Sequence, residues 1–252
     1  MGGALLSGWL KAGVPPEHIA VFEPQAGAMP EGVAHNPDAA ALAEAPPTCV
    51  VLAIKPQQAA DALPELKDKL PPACLVVSLL AGTRIATLRG LLGDGHAYIR
   101  AMPNLPAAIG KGMAVLCADA EVEAAHWAQA EKLLEAVGIT ARADDEAQMD
   151  AITALSGSGP AYIFHVAEAM QAGGKALGLS EELAARLTMQ TIVGAGAMLE
   201  AGGDATALRE SVASRGGTTE AALDVLMNKA GLESLFRNAL EAAAARSREL
   251  DG

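Results

Sequence analysis

Aromatic side chains are scarce in this sequence: Phe, Tyr and Trp together make up 3% of its 252 residues. A core must therefore be built from Ala, Val, Leu and Ile, in a chain that is 51% apolar. Cysteine is nearly absent too. Cys49, Cys74 and Cys117 are odd in number, scattered and set in apolar runs, with no C-x-x-C. That pattern excludes a disulfide framework and predicts buried thiols in a reducing cytoplasm. His18, His35, His96, His126 and His165 show no metal-ligand spacing, so no metal site is expected. A basic surplus is missing: 18 Lys and Arg face 30 Asp and Glu, a net charge of −12. This argues against nucleic acid and an anionic membrane surface as partners. The longest apolar helical stretch, Leu187 to Leu199, contains Gln190 and two threonines and lies between Arg186 and Glu200. It falls short of the roughly 20 residues that span a bilayer. No basic segment precedes an apolar one at the opening, so no signal peptide is expected. Nor is there a Ser-His-Asp pattern, a pair of catalytic carboxylates or an evident general-base histidine.

The length suits two modest domains. Across residues 1–143, β-rich runs at 19–23, 49–54, 75–79, 97–101, 113–117 and 139–142 alternate with helical patterns. Asn36-Pro37-Asp38 reads as the start of a helix, Thr83 as the cap of one over 84–92, and Asp119 as the cap of one over 120–137. Such alternation predicts a doubly wound α/β domain, with a parallel sheet covered on both faces and ligands bound beyond its carboxyl ends. The opening differs, because Gly2 to Ala12 reads as a helix with Leu5, Leu6, Trp9 and Leu10 on its apolar side. Glu23 ends the next strand, about 20 residues after Gly2, the spacing from a dinucleotide fingerprint to the acid that holds a ribose hydroxyl. Residues 144–252 contain helices and no convincing strand. Gly194, Ala195 and Gly196 allow close helix approach, and so thin a core predicts an intertwined dimer.

Two motifs carry most information. In Ser211-Val-Ala-Ser-Arg-Gly-Gly-Thr-Thr219, paired glycines precede a helix that starts at Thr218 or Thr219. A glycine nest opening a helix suits a small anion such as a carboxylate, and it equally suits a structural cap. Leu155-Ser-Gly-Ser-Gly-Pro-Ala161 reads as a Gly/Ser loop before a second helix, with Pro160 at its first position and Ser158 or Gly159 as N-cap.

Together Ile152-Thr-Ala-Leu-Ser-Gly-Ser-Gly-Pro-Ala-Tyr162 and Val212-Ala-Ser-Arg-Gly-Gly-Thr-Thr219 resemble the two C-terminal motifs of the pyrroline-5-carboxylate reductases. The resemblance implies an NADPH- or NADH-dependent oxidoreductase that makes proline by reducing a cyclic imine. It also implies a Rossmann-like domain over 1–143, and a helical substrate-binding and dimerisation domain over 144–252. Gly2 then matches the third glycine of G-x-G-x-x-G, with the first strand and most of the phosphate loop missing. Coenzyme contacts are implied at Glu23, Asn36, Ala53, Ile54, Lys55, Pro56, Leu79, Leu80, Ala81, Met102, Pro103, Asn104 and Ser211. Asn36 serves equally well as a helix cap. Backbone at Gly217, Thr218 and Thr219 is implied to bind the substrate carboxylate, with the Thr219 hydroxyl beside the imine nitrogen. Homodimers, able to assemble further, are implied as well.

The sequence departs from the family at Arg215, where proline is usual, at Leu105 for threonine, and at Leu79-Leu80 for smaller residues. The Glu23 carboxylate repels a 2′-phosphate, which favours NADH. Lys55 reads as solvated or phosphate-pairing. Lys175 reads as a helix-end cation, and His165 as a core or interface residue. A β-hydroxyacid dehydrogenase, with Lys175 in its cleft, and a catalytically impaired dimeric fragment remain open alternatives.

Overall fold

In the computed structural model, residues 1–25, 27, 29–37, 42 and 45–250 are described. The chain opens with helix α1 (Gly2–Lys11), which ends before Gly13 at φ +85°. Its buried Leu5 and Leu6 form the inner face. Any Cβ at Gly8 would collide with Val137 and the Ala136 carbonyl, so glycine lets the helix lie close. Strands β1 (Ala20–Phe22) and β2 (Ala34–Asn36) pair in parallel as a sheet of their own. Asn36 thus closes a strand. Most of the helix expected after it falls outside the described residues.

A second sheet holds five strands in the order β3 (Cys49–Leu52), β4 (Leu75–Ser78), β5 (Ala97–Met102), β6 (Gly112–Ala118) and β7 (Gly138–Arg142). Helices α2 (Ala59–Ala62), α3 (Ile85–Leu92) and α4 (Ala124–Glu135) lie between its strands in sequence. The sheet is mixed, not wholly parallel: β3, β4 and β5 run together, β6 runs against β5, and β7 follows β6. The link from Met102 to Gly112 is a short 3₁₀ segment, Leu105–Ile109, closed by Gly110 at φ +74°. So short a link has no room for the crossover that a parallel pair requires, and the strand turns back.

Both faces of this sheet are covered, as alternation along β4 shows. Val76 joins a cluster with Ile85, Leu88, Leu92 and Tyr98, while Leu75 and Val77 join Leu5, Ala130 and Leu134. α3 therefore covers one face, and α1 with α4 the other. Two helix starts differ from expectation. Arg84, not Thr83, is the N-cap of α3, and Thr83 is buried just before it. α4 begins after Glu123, because Asp119 is engaged with Arg89 at 2.6 Å.

Helix α5 (Met149–Ile152) passes into a π-helical turn, Thr153–Gly157, and then into α6 (Gly159–Ala176). The anticipated Gly/Ser loop is therefore helical. The Ser158 N–H reaches the Thr153 carbonyl at 2.8 Å, one residue beyond an α-helical bond. Gly157 permits the bulge: a Cβ there would stand 3.1 Å from Met102 Sδ.

By compactness the chain forms two units, Met1–Ser158 with Ala243–Gly252, and Gly159–Ala242. The second unit holds α6, α7 (Glu181–Glu200), α8 (Ala205–Val212), α9 (Thr218–Leu226) and most of α10 (Leu232–Glu249). Side-chain caps start two of them, Ser180 Oγ accepting from Leu183 N–H and Asp204 Oδ1 from Ala207 N–H. Phe164, Leu187, Val193, Met198 and Val225 stay exposed on its helices, so the unit leaves much of its apolar surface uncovered within a single chain. His165 is exposed as well, beside Glu168, and is no core residue of this chain. Among the described residues, no helix is long and apolar enough to cross a membrane.

Candidate active site

Parallel neighbours end side by side, so the carboxyl ends of β3, β4 and β5 bring three predicted segments together: Ala53-Ile54-Lys55-Pro56, Leu79-Leu80-Ala81 and Met102-Pro103-Asn104. The amino end of α1 joins them. A Cβ on Gly2 would lie 3.3 Å from the Ala53 Cβ, and no side chain caps this helix. An uncapped helix end flanked by Gly2 and Gly3 presents backbone N–H groups and a partial positive charge to an anion. Those features fit the diphosphate of a dinucleotide.

Each predicted residue contributes differently. Leu80 and Met102 are 2% and 6% exposed, so their side chains are packed into the core. The Asn104 amide is already used: Nδ2 donates to the Ser156 carbonyl at 3.3 Å, and Oδ1 accepts from Met113 N–H at 3.0 Å. It ties the β5 end to the π-helical turn. Lys55 is exposed, and its N–H donates to Gln58 Oε1 at 3.1 Å, while Pro56 starts the next turn. Glu23 and Asn36 are neighbours, joined by a bond of 3.2 Å from the Glu23 N–H to the Asn36 carbonyl. The exposed Glu23 carboxylate accepts from Gln25 N–H, also at 3.2 Å.

The other predicted residues belong to the second unit. Ser211 lies in the last turn of α8, its hydroxyl donating to the Leu208 carbonyl at 2.7 Å. The chain then turns through Gly216, at φ +69°, and Gly217 is the N-cap of α9. A Cβ on Gly217 would meet Ser214 Oγ at 2.5 Å, so this residue is glycine for space. Thr218 and Thr219 form the first turn, and no side chain caps it. Sequence reasoning missed Glu220. Its carboxylate reaches back to the Gly216 N–H at 2.5 Å. Glu220 stands four residues after Gly216, a spacing legible in the sequence that lets its side chain fold back over the turn. The loop thus already holds a carboxylate, its own.

Other candidates lie elsewhere. Lys175 ends α6 and pairs with Glu181 at 3.4 Å. An open recess of about 350 Å³, lined by Pro46, Pro47, Pro71, Pro72 and His126, sits at the amino ends of β3 and β4. That is the opposite end of the sheet from the predicted segments. No cluster of three or more His, Cys, Asp or Glu fit for a metal occurs among the described residues.

Comparison with known proteins follows this division of labour. The family profile described as pyrroline-5-carboxylate reductase dimerisation matches residues 146–250. One described as NADP oxidoreductase, coenzyme F420-dependent, matches residues 1–82. A pyrroline-5-carboxylate reductase of Pseudomonas aeruginosa is 43% identical over 258 residues, covering 99% of this chain and 93% of that protein. The solved pyrroline-5-carboxylate reductase of Coxiella burnetii superposes with a TM-score of 0.89 at 36% identity, covering 100% of this chain and 95% of the other. The Plasmodium falciparum enzyme, solved with NADP bound, gives 0.88 at 28% identity, with 100% and 95% covered. With a Rossmann-like sheet, a helical dimerisation domain and relatives this similar over nearly its whole length, the chain belongs to the pyrroline-5-carboxylate reductase family.

Proposed function

We propose that this chain reduces 1-pyrroline-5-carboxylate to L-proline with NADPH or NADH, the last step of proline biosynthesis. The observation that carries the assignment to particular residues is the opening of α9, where a Gly-Gly turn already binds a carboxylate and no side chain caps the first turn. The backbone N–H groups of Thr218 and Thr219 bind the substrate carboxylate beside Gly217, whose own N–H donates to the Ser214 carbonyl at 2.9 Å and whose missing side chain leaves room for it, aided by the positive end of the helix. Thr219 Oγ1 stands at the imine nitrogen and orients it for protonation. When bound, the nicotinamide coenzyme would supply a hydride to the imine carbon, while the imine nitrogen takes one proton. Such chemistry needs orientation more than charged acid–base groups, in keeping with a sequence that has no evident catalytic dyad.

For the coenzyme, α1 at Gly2 receives the diphosphate, and Lys55 stands ready to pair with phosphate. Glu23 takes the ribose hydroxyls, with Asn36 beside it. Backbone at Ala53, Ile54 and Pro56, at Leu79, Leu80 and Ala81, and at Met102, Pro103 and Asn104 lines the path, and Ser211 touches it from the helical half. In this scheme the dinucleotide-binding domain comprises residues 1–143 and the substrate-binding and dimerisation domain residues 144–252. Free thiols at Cys49, Cys74 and Cys117 support a cytoplasmic setting. The working form is a homodimer, able to assemble as dimers of dimers. Nothing basic in its composition invites nucleic acid or an anionic membrane. The test is oxidation of NADPH and of NADH with pyrroline-5-carboxylate, with L-proline identified as product. Turnover is expected with both, and a higher kcat/KM with NADH follows from the Glu23 carboxylate. A folded dimer that yields no proline with either coenzyme overturns the assignment.

A further inference from the structure

The turn after β4 is held by residues from the far end of the chain. It leaves the strand through two bonds, one to the neighbouring strand from Leu79 N–H to the Leu52 carbonyl at 3.0 Å and one local, Leu80 N–H to Ser78 Oγ at 3.4 Å. It enters α3 under a third, Ile85 N–H to Glu146 Oε1 at 2.8 Å. The same oxygen takes a bond of 2.7 Å from Arg100, whose side chain is almost wholly buried. Ala81 packs on Met102, Cys117 and Met149. Between these anchors stands Gly82, buried and at φ +76°. A Cβ there would lie 2.8 Å from Leu250 Cβ and 3.2 Å from the Ser247 carbonyl oxygen.

The last turn of α10 is fixed in its own right. Ser247 is 4% exposed, and its hydroxyl donates to Asp150 Oδ1 at 2.6 Å. Leu250 N–H bonds back to the Ser247 carbonyl at 3.2 Å, and Arg248 Nε lies 3.9 Å from Asp150 Oδ2. Asp150 directly follows Met149, on which Ala81 packs. One rigid corner therefore supports the turn from two sides, with α5 beneath Ala81 and α10 against Gly82.

We propose that Ser247 and Leu250 are positioning residues for the coenzyme: by pinning Gly82 they hold the backbone of Leu79-Leu80-Ala81 in its binding conformation. The inference rests on the assignment of that turn to the coenzyme. With the clasp released, the turn keeps its ends, the packing of Ala81 and the Thr83 N–H bond to the Leu80 carbonyl but loses its support at Gly82, and binding must then order it at a cost in affinity. Substrate binding at the α9 opening shares none of these contacts.

The test uses the full chain with Ser247→Ala, Ser247→Thr, Gly82→Ala and Ala81→Val. NADPH affinity is measured by calorimetry without substrate, alongside amide hydrogen exchange over residues 79–85. Loss of one hydrogen bond to a carboxylate converts to about tenfold weaker NADPH binding in Ser247→Ala. Faster exchange across the turn is expected with it, while kcat at saturating coenzyme and KM for pyrroline-5-carboxylate hold. Ser247→Thr keeps the hydroxyl and restores affinity. Gly82→Ala repeats the defect if it folds, and Ser247→Ala decides the matter if it does not. Unchanged affinity and exchange in folded Ser247→Ala overturn the clasp, provided Ala81→Val weakens binding. If Ala81→Val binds NADPH as tightly as the parent, the coenzyme assignment of the turn is what fails, and the clasp falls with it.

Discussion

Thr219 and the three cysteines carry the sharpest expectations at the scale of single residues. In the proposed mechanism, removing the Thr219 hydroxyl takes away an orienting group while the half-buried residue stays in the first turn of α9. Thr219→Ala should lower kcat several-fold and leave the melting temperature in place, and unchanged kinetics would remove Thr219 from the mechanism. Burial pushes the Cys49 thiol up to about 12, and Cys74 and Cys117 each to about 11, from an ordinary value of 9.0. The thiolate is the reactive form, so iodoacetamide at pH 8 should label the native protein slowly and all three cysteines quickly in denaturant. The same shift has a consequence for stability. Raised folded values stabilise fully below pH 9, and the gain is lost as pH climbs from 9 toward 11–12, because the unfolded chain ionises first. The urea midpoint should therefore fall between pH 8 and pH 10.5. Gly216 and Gly217 were legible at this scale because turn chemistry is local. Glu146 and Ser247 were not, since a polar residue announces nothing of a partner brought close only by folding.

Elements were legible where one periodicity ran unbroken. The five strands of the larger sheet carry runs such as Val50-Val51-Leu52 and Leu75-Val76-Val77, and α1 shows its apolar stripe plainly. β2 escaped because Ala34-His35-Asn36 is too short for alternation to register, and Asn-Pro reads as a helix start. The reversal at β6 escaped because alternating elements argue for parallel strands, whereas the length of a single link decides the direction. The π-helical turn escaped because Ser, Gly and Pro are loop formers by composition, whereas the Ser158 N–H bond to the Thr153 carbonyl carries the helix through them. One glycine pair tests the sheet directly. Gly138 in β7 opposes Gly112 in β6, and any Cβ on Gly138 would collide with the Gly112 backbone. Gly138→Ala should cost about 1–3 kcal/mol in chemical denaturation, the range for overpacking a close contact. A neutral result would mean that the β6–β7 edge yields easily.

For the molecule as a whole, the division into an α/β half and a helical half was written in the change of pattern near the middle of the chain, and the thin Ala-rich core pointed to a partner. Apolar side chains left exposed on α6, α7 and α9 are consistent with the dimerisation profile that spans them. Folding is then linked to association, and the melting temperature should rise with protein concentration over the range where dimers form. Sedimentation showing a stable monomer at micromolar concentration would contradict this. The return of residues 243–250 to the first unit was the least legible feature, because amphipathicity reports that a helix has a buried side and never which side of the molecule receives it.

That return bears on inheritance. A helix that begins in one unit and finishes in the other means that exchange of the two halves of the gene at a single junction mixes contacts within the first unit. A crossover between related genes near residue 158 would set one parent's Gly82 against the other parent's Ser247 and Leu250. Chimaeras that keep these parental contacts need a second breakpoint near residue 243.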